Sequence, residues 1–188
     1  MKKGTIILLS VLGLLLILVM TLVGSYNRLV NTSEGVDEKW SQVENVLQRR
    51  YDLIPNLVNT VKGYAKHEKE LLTEVTKLRS QWGAAKTPGD KVAAANGLEG
   101  ALSRLLLVVE RYPDLKANQN FLKLQDELAG TENRIAVERK RYNEAVRDYN
   151  LRVRRFPSNL VAGMFGFEKK DAYFEAAEQA QETPKVEF

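Results

Sequence analysis

The stretch RRYDLIPNLV, residues 49–58, decides the fold. Leu47, Ile54 and Val61 fall seven residues apart, so one apolar stripe crosses Pro55 without losing phase. A proline in a helix interior lacks an N–H and crowds the carbonyl four residues earlier, here that of Tyr51, at a cost of about 3 kcal/mol. Preserved phase implies a kink within one helix rather than a stop, and the freed Tyr51 carbonyl then needs another donor. A bend of this kind lets a long helix wrap its partners in a bundle. A binding role for the kink at Pro55 is the competing use.

Outward from Pro55, Val36, Trp40, Val43, Leu47, Ile54, Leu57, Val61 and Tyr64 recur at three- and four-residue steps, which marks one helix face. The phase extends to Leu71, Val75, Leu78 and Trp82, with charges at two stripe positions, Arg50 and Glu68. GAAKTPGD (83–90) reads as a turn. A second pattern, Leu98, Leu102, Leu105 and Val109, ends at YPDL (112–115). Phe121, Leu124, Leu128, Ile135, Tyr142, Val146, Tyr149, Val153 and Phe156 then mark a long last helix closed by Pro157. Beyond the N-terminal run, nothing alternates with the period of a strand.

A single helix reaching Trp82 would leave the last helix overshooting its partners with its apolar stripe exposed. Burying that stripe is worth roughly 25 cal/mol per Å². A break near HEKE (67–70) instead gives pieces over roughly 30–66 and 68–83. The last helix, over roughly 117–155, then matches the first in length. The expected fold is all-α: an N-terminal transmembrane helix followed by an antiparallel up-and-down four-helix bundle with long first and last helices.

The anchor is the uncharged run from Gly4 to Asn27, which includes Ile6, Leu9, Leu14, Leu18 and Val23. About 20 helical residues cross a hydrocarbon layer of ~30 Å. The apolar region of a secretory signal peptide is shorter, ~7–15 residues, and VGSY matches a cleavage site poorly. A retained span is the better reading. Lys2 and Lys3 precede it and Arg28 and Lys39 follow it, so the flanking charge is balanced. The compact basic start favours a cytoplasmic N-terminus with the domain outside.

Among 188 residues, 44% are hydrophobic and 28% charged, and there is no cysteine. That excludes disulfides, thiolate metal sites and a lipid-modified N-terminal cysteine. The net charge of +4 falls to +2 without Lys2 and Lys3, short of the domain-wide basic excess of a nucleic-acid binder. His67 is the only histidine, set among charged neighbours at a helix end, and one imidazole makes no zinc site without further ligands. Ser41, Ser80 and Ser103 sit in helical patterns rather than on an exposed elbow. GDKV (89–92) starts a helix and is not a phosphate loop. No catalytic residue, cofactor or metal is expected.

WSQVENVLQRRYDLIPNLVNTVKGYAKHE (40–68), LSRLLLVVERYPDLKANQNFLKLQDELAGTENRIA (102–136), YNEAVRDYN (142–150) and FPSNLVAGMFGF (156–167) together resemble the LemA family of bacterial membrane proteins. The resemblance implies one N-terminal span followed by a four-helix bundle, and it implies no established enzymatic activity. It associates some relatives with bacterial membrane organisation, including formation of magnetosome membranes, and often places family members near membrane-bound zinc proteases. The corresponding organisation is an anchor over 1–27, a LemA-like bundle over 28–167 and an acidic helix or tail over 168–188.

Three features point beyond packing. YN recurs at 26–27, 142–143 and 149–150, and a partly buried asparagine can fix helix register. Asn56 and Asn133 belong to the same expected polar set, whose other use is contact with another subunit. The uncharged run 156–167, carrying Phe156, Leu160, Met164, Phe165 and Phe167, is too short to span and lies between basic clusters. Residues 139–155 hold seven basic and two acidic side chains, suited to anionic headgroups. The run serves either as a membrane interface or as a lid on the bundle's open end. Finally, PKVEF (184–188) alternates Val186 and Phe188 with charges, as a strand-adding ligand of a PDZ-like groove does, although a tail tucked on its own bundle is commoner.

The function expected is a non-enzymatic, membrane-anchored helical scaffold in the bacterial inner membrane that contacts lipid, self-assembles as a homo-oligomer and organises or shapes the membrane. The runner-up is an adaptor presenting its bundle or PKVEF tail to a membrane protease or signalling partner.

Overall fold

A computed structural model describes residues 3–65 and 67–174. Among these residues the chain is all-helical, without a strand. The helices are α1 (Lys3–Tyr64), α2 (Lys69–Ala84), α3 (Pro88–Val109), α4 (Pro113–Lys116), α5 (Gln119–Arg154) and α6 (Ser158–Phe165). The break near His67 is present, between α1 and α2. The first helix does not begin near residue 30, however: anchor and first helix are one helix of 62 residues. Between Asn27 and Val36 the sequence has no proline and a single glycine, Gly35, which costs about 1 kcal/mol and stops nothing. Two short helices, α4 (Pro113–Lys116) overlapping YPDL and α6 within the 156–167 run, add to the four expected.

The described residues form two compact units, one of residues up to 39 with 144–171, the other of 40–143 with the described residues from 172 onward. In the second unit Leu47, Tyr51, Ile54, Leu57 and Val61 of α1 are buried, as are Leu72, Val75 and Trp82 of α2. Leu98, Leu102 and Leu105 of α3 and Phe121, Ile135 and Tyr142 of α5 complete this core. The rings of Tyr51 and Trp82 lie 4.1 Å apart. Helices α2 and α3 approach closely at Gly97, where a Cβ would come within 3.2 Å of Leu78 Cδ2.

The helix ends are closed by local chemistry. Thr87 Oγ1 accepts from the Asp90 amide at 3.1 Å, satisfying one of the orphan donors at the start of α3. Asn118 Oδ1 accepts from the amides of Asn120 and Phe121 at 2.9 and 3.1 Å, starting α5. The same side chain donates to the Tyr64 hydroxyl at 2.9 Å, tying the end of α1 to the start of α5.

Helix α1 continues through Pro55, and the donor that the Tyr51 carbonyl requires is Arg79 Nε of α2, at 3.1 Å. The two charged stripe positions are also partnered. Arg50, nearly buried, pairs with Glu132 of α5. Glu68 accepts from Arg111 Nη2 at 2.9 Å and from the Tyr112 hydroxyl at 3.2 Å. Arg139 of α5 pairs with Glu99 of α3 at 2.8 Å, and Lys91 of α3 pairs with Glu44 of α1. Along α1, Arg50 then Tyr64 meet Glu132 then Asn118, so α1 and α5 run in opposite directions here. Arg104–Glu74 and Arg111–Glu68 order α2 against α3 in the same antiparallel way.

The asparagine repeats have a role that periodicity does not reveal. In the first unit Asn150 donates to the Lys170 carbonyl at 2.8 Å and accepts from its amide at 3.0 Å. In the second unit Asn143 holds Phe174 in the same two-bond fashion, at 2.7 and 3.0 Å. Each carboxamide thus satisfies a complete backbone donor–acceptor pair of the non-helical segment 168–174, which lies on α5. Phe174 is buried, its ring stacked on Trp40 at 6.1 Å, edge-on to Tyr142 at 5.9 Å, and under the Arg139 guanidinium at 4.8 Å. Asn56 and Asn133 do not join this set. Both are exposed.

Candidate membrane-interface site

The candidate site lies in the first unit and begins with the uncharged run, which is long and apolar enough to cross a membrane. Ile6, Leu9, Leu14, Leu18 and Val23 are all exposed, as is almost every side chain from Gly4 to Asn27. A helix satisfies its own backbone, which is what a segment surrounded by hydrocarbon requires. The side-chain hydroxyls within the span are also satisfied internally: Ser10 donates to the Ile6 carbonyl at 2.9 Å and Thr21 to that of Ile17 at 2.8 Å.

Where the uncharged run ends, α6 packs against α1. Val161 and Ala162 of α6 form a small core with Leu29, and Val153 and Phe167 close its edges. The Phe165 ring lies 4.8 Å from that of Tyr26, the last residue but one of the uncharged run. α6 is set in place by its two ends. At the first, Ser158 Oγ donates to the carbonyls of Arg152 and Arg155, at 2.6 and 2.9 Å, joining it to the end of α5. At the second, Gly166 adopts φ +73°, a left-handed conformation that glycine takes without steric cost, and the Phe167 amide reaches the Ala162 carbonyl at 3.0 Å. The chain reverses there and returns along α5. The Tyr149 hydroxyl receives it by donating to the Glu168 carbonyl at 2.8 Å. Burial, helped by the Asp37 carboxylate, pushes the Tyr149 phenol above its usual pKa, so it remains a donor.

These contacts divide the expected interface residues into two sets. Phe156, Leu160, Met164 and Phe165 point away from the small core, with Phe156 79% and Met164 72% exposed. Phe167 is turned inward by the Gly166 reversal and packs on that core and, at 5.8 Å, on Tyr26. Arg152, Arg154 and Arg155 precede α6 in sequence, Lys169 follows it, and Arg28 neighbours its partner Leu29; all are exposed and, among the described residues, in no ion pair. Lys170 differs, being paired with Asp37 at 2.6 Å. An apolar face flanked by cations has the composition of a segment that rests in the headgroup boundary, with its rings in the acyl edge and its cations among phosphates. Tyr26 and Leu29 have no distinguishing sequence signal as α6 partners. They continue the mostly apolar run that precedes them, which offers no polar contrast to set them apart.

The remaining candidates lie elsewhere. Pro55 is in the second unit, within α1. His67 is exposed in the turn between α1 and α2. Val186 and Phe188 lie outside the described residues.

Residues 39–188 match the model of the LemA family. The chain belongs to the LemA family. This LemA-family chain is 29% identical, over 98% of its length and 77% of the relative's, to Magnetosome protein MamQ 2 of Paramagnetospirillum magneticum. It is 26% identical to Magnetosome protein MamQ of Magnetospirillum gryphiswaldense, covering 99% of this chain and 78% of that one. To Protein LemA of Metamycoplasma hominis the identity is 28%, over 88% of this chain and 74% of the relative. Family, bacterial relatives and the apolar N-terminal helix agree with a membrane-associated protein. None of these relatives is named as an enzyme.

Proposed function

We propose that this chain is a non-enzymatic helical scaffold, held in the bacterial inner membrane by one span, that self-assembles with copies of itself and organises or shapes the bilayer. The supporting observation is the outward face of α6. Phe156, Leu160, Met164 and Phe165 stand exposed, Phe165 against Tyr26 at the end of the uncharged run, and Arg152, Arg154 and Arg155, just before α6 in sequence, form no ion pair among the described residues. Water is a poor medium for such a face, and lipid is the medium the neighbouring span already occupies.

In this reading residues 1–27 anchor the chain, 28–167 form an antiparallel up-and-down four-helix bundle bent at Pro55, and 168–188 form its tail. The antiparallel pairs Arg50–Glu132, Glu74–Arg104 and Glu68–Arg111 favour that bundle. The basic N-terminus stays in the cytoplasm and the domain lies outside. Similarity to two magnetosome proteins over nearly the whole chain favours a role in membrane organisation.

The test is the mass of the full-length protein in mild detergent by light scattering, beside that of residues 26–188. A large, discrete full-length assembly is expected. A monomer in both preparations overturns the scaffold and leaves the adaptor, with a membrane protease or signalling protein as partner. Deletion of residues 184–188 then tests whether Val186 and Phe188 capture that partner.

A further inference from the structure

The second unit contains a groove of about 660 Å³ between α1 and α2. Val58, Ala65 and Leu72 give it an apolar floor, and Thr73, Thr76 and Ser80 line one wall. All three of these hydroxyls are spent on carbonyls of their own helix, those of Lys69, Leu72 and Thr76. The wall therefore presents methyl and methylene groups more than free donors. Lys62, Lys69 and Lys77 stand around the groove, with no carboxylate among its described lining residues; Glu70 and Glu74 line the adjoining hollow that shares Lys69, Thr73 and Lys77. None of the three lysines forms an ion pair among the described residues, whereas Arg50, Lys91, Arg104 and Arg139 of this unit each pair with a glutamate of another helix. An apolar trough ringed by three ammonium groups that have no ion pair among the described residues fits a segment that carries carboxylates and apolar side chains together.

This chain carries such a segment. Residues 175–188, EAAEQAQETPKVEF, hold four glutamates and one lysine, with Val186 and Phe188 near the end. The described chain reaches Phe174, which is stacked on Trp40 of α1. Val58 follows Trp40 by 18 residues, five full helical turns, so the two share one face of α1 about 27 Å apart. Fourteen residues span at most about 46–50 Å, enough to run from Phe174 into the groove. We infer that the groove between α1 and α2 is the docking site of the chain's own acidic C-terminal segment, with glutamates facing Lys62, Lys69 and Lys77 and the apolar side chains near residue 186 on the Val58–Leu72 floor.

The absence of cysteine makes the test direct. In the full-length protein, Thr73→Cys is combined with Val186→Cys, and intrachain disulfide formation is timed under mild oxidation. The comparison pair is Glu127→Cys with Val186→Cys, since Glu127 is exposed on α5 outside the groove. Docking raises the local concentration of the tail at Thr73, so the groove pair is expected to close roughly tenfold faster. Glu178→Lys with Glu182→Lys, which alters no described helix, should remove most of that advantage, as should Lys69→Glu with Lys77→Glu. Equal rates for the two pairs overturn the proposal. Disulfides formed only between chains would assign the groove to a second copy's tail and overturn it equally, and an advantage indifferent to the charge reversals would remove the lysines' role.

Discussion

The two units share helices α1 and α5, yet they treat their side chains differently. In the unit built from residues 40–143, large apolar residues of α1, α2, α3 and α5 face inward and several charges are paired between helices, as in Arg50–Glu132, Lys91–Glu44 and Arg139–Glu99. In the unit built from residues up to 39 with 144–171, the core is small, centred on Leu29, Val161 and Ala162. There the apolar outer face of α6 is exposed, and the arginines that precede it, Arg152, Arg154 and Arg155, form no ion pair among the described residues. The first pattern suits water, and under the proposed function the second suits the boundary between hydrocarbon and anionic headgroups. The difference shows that surface composition is tuned region by region along the same two helices.

The largest effect that could break this comparison is in the span. Leu14→Arg with Leu15→Arg puts two guanidinium groups near its centre, at about 2.5–3.5 kcal/mol each. Most of the protein should leave the membrane pellet for the soluble fraction. Retention in the pellet after a carbonate wash would mean that the span is not the anchor.

Next in size is a matched pair of truncations. Leu57 is fully buried in the second unit, so Leu57→Ala should lower stability by about 2–5 kcal/mol in urea titration of the helix signal. Leu160 is about half exposed on the outer face of α6, so Leu160→Ala should change that stability by no more than about 0.5 kcal/mol. A similar loss for both would show that α6 packs as a lid, closing the bundle rather than facing lipid.

The smallest effect concerns pH. Burial raises the Tyr51 phenol far above its ordinary range, while the neighbouring Arg50 and Arg139 only partly offset it. Between the ordinary tyrosine pKa, about 10, and the raised value, the unfolded chain has lost this proton and the folded chain keeps it. Stability contributed by Tyr51 is therefore whole below pH 10 and falls above it, by up to about 1.4 kcal/mol per pH unit. Comparing unfolding midpoints of the native chain and Tyr51→Phe at pH 9 and pH 11 should show a shallower decline in the variant. Parallel declines would place the Tyr51 ring in a wetter setting than its burial implies.

Much of the second unit is legible in the sequence, because its signals are periodic. The stripe through Pro55 gives one helix, and the need for helices of matched length gives the break at His67. The lost N–H of Pro55 requires a donor, although nothing in the pattern names Arg79 as that donor. The uncharged run marks the exposed N-terminal stretch of α1 and the 156–167 segment contains α6, but a twelve-residue apolar run does not reveal its faces. Gly166 decides those, by turning Phe167 inward while Met164 and Phe165 stay outside. The joining of span and first helix into α1 is hidden because a charge boundary resembles an element boundary, whereas only a breaker residue makes one. The pinning of Lys170 and Phe174 by Asn150 and Asn143 is hidden for another reason: these partners are 20 and 31 residues apart and follow no period.

The claim that α6 meets the bilayer is tested most directly by depth-dependent quenching. Single cysteines at Met164 and, for contrast, at Leu107, both 72% exposed, would each carry an environment-sensitive fluorophore in the full-length protein reconstituted in nanodiscs. Brominated lipids with bromine near the headgroup end of the acyl chain should quench the label at 164 strongly and leave the label at 107 unchanged. Equal quenching at both positions, or none at 164, would contradict the account.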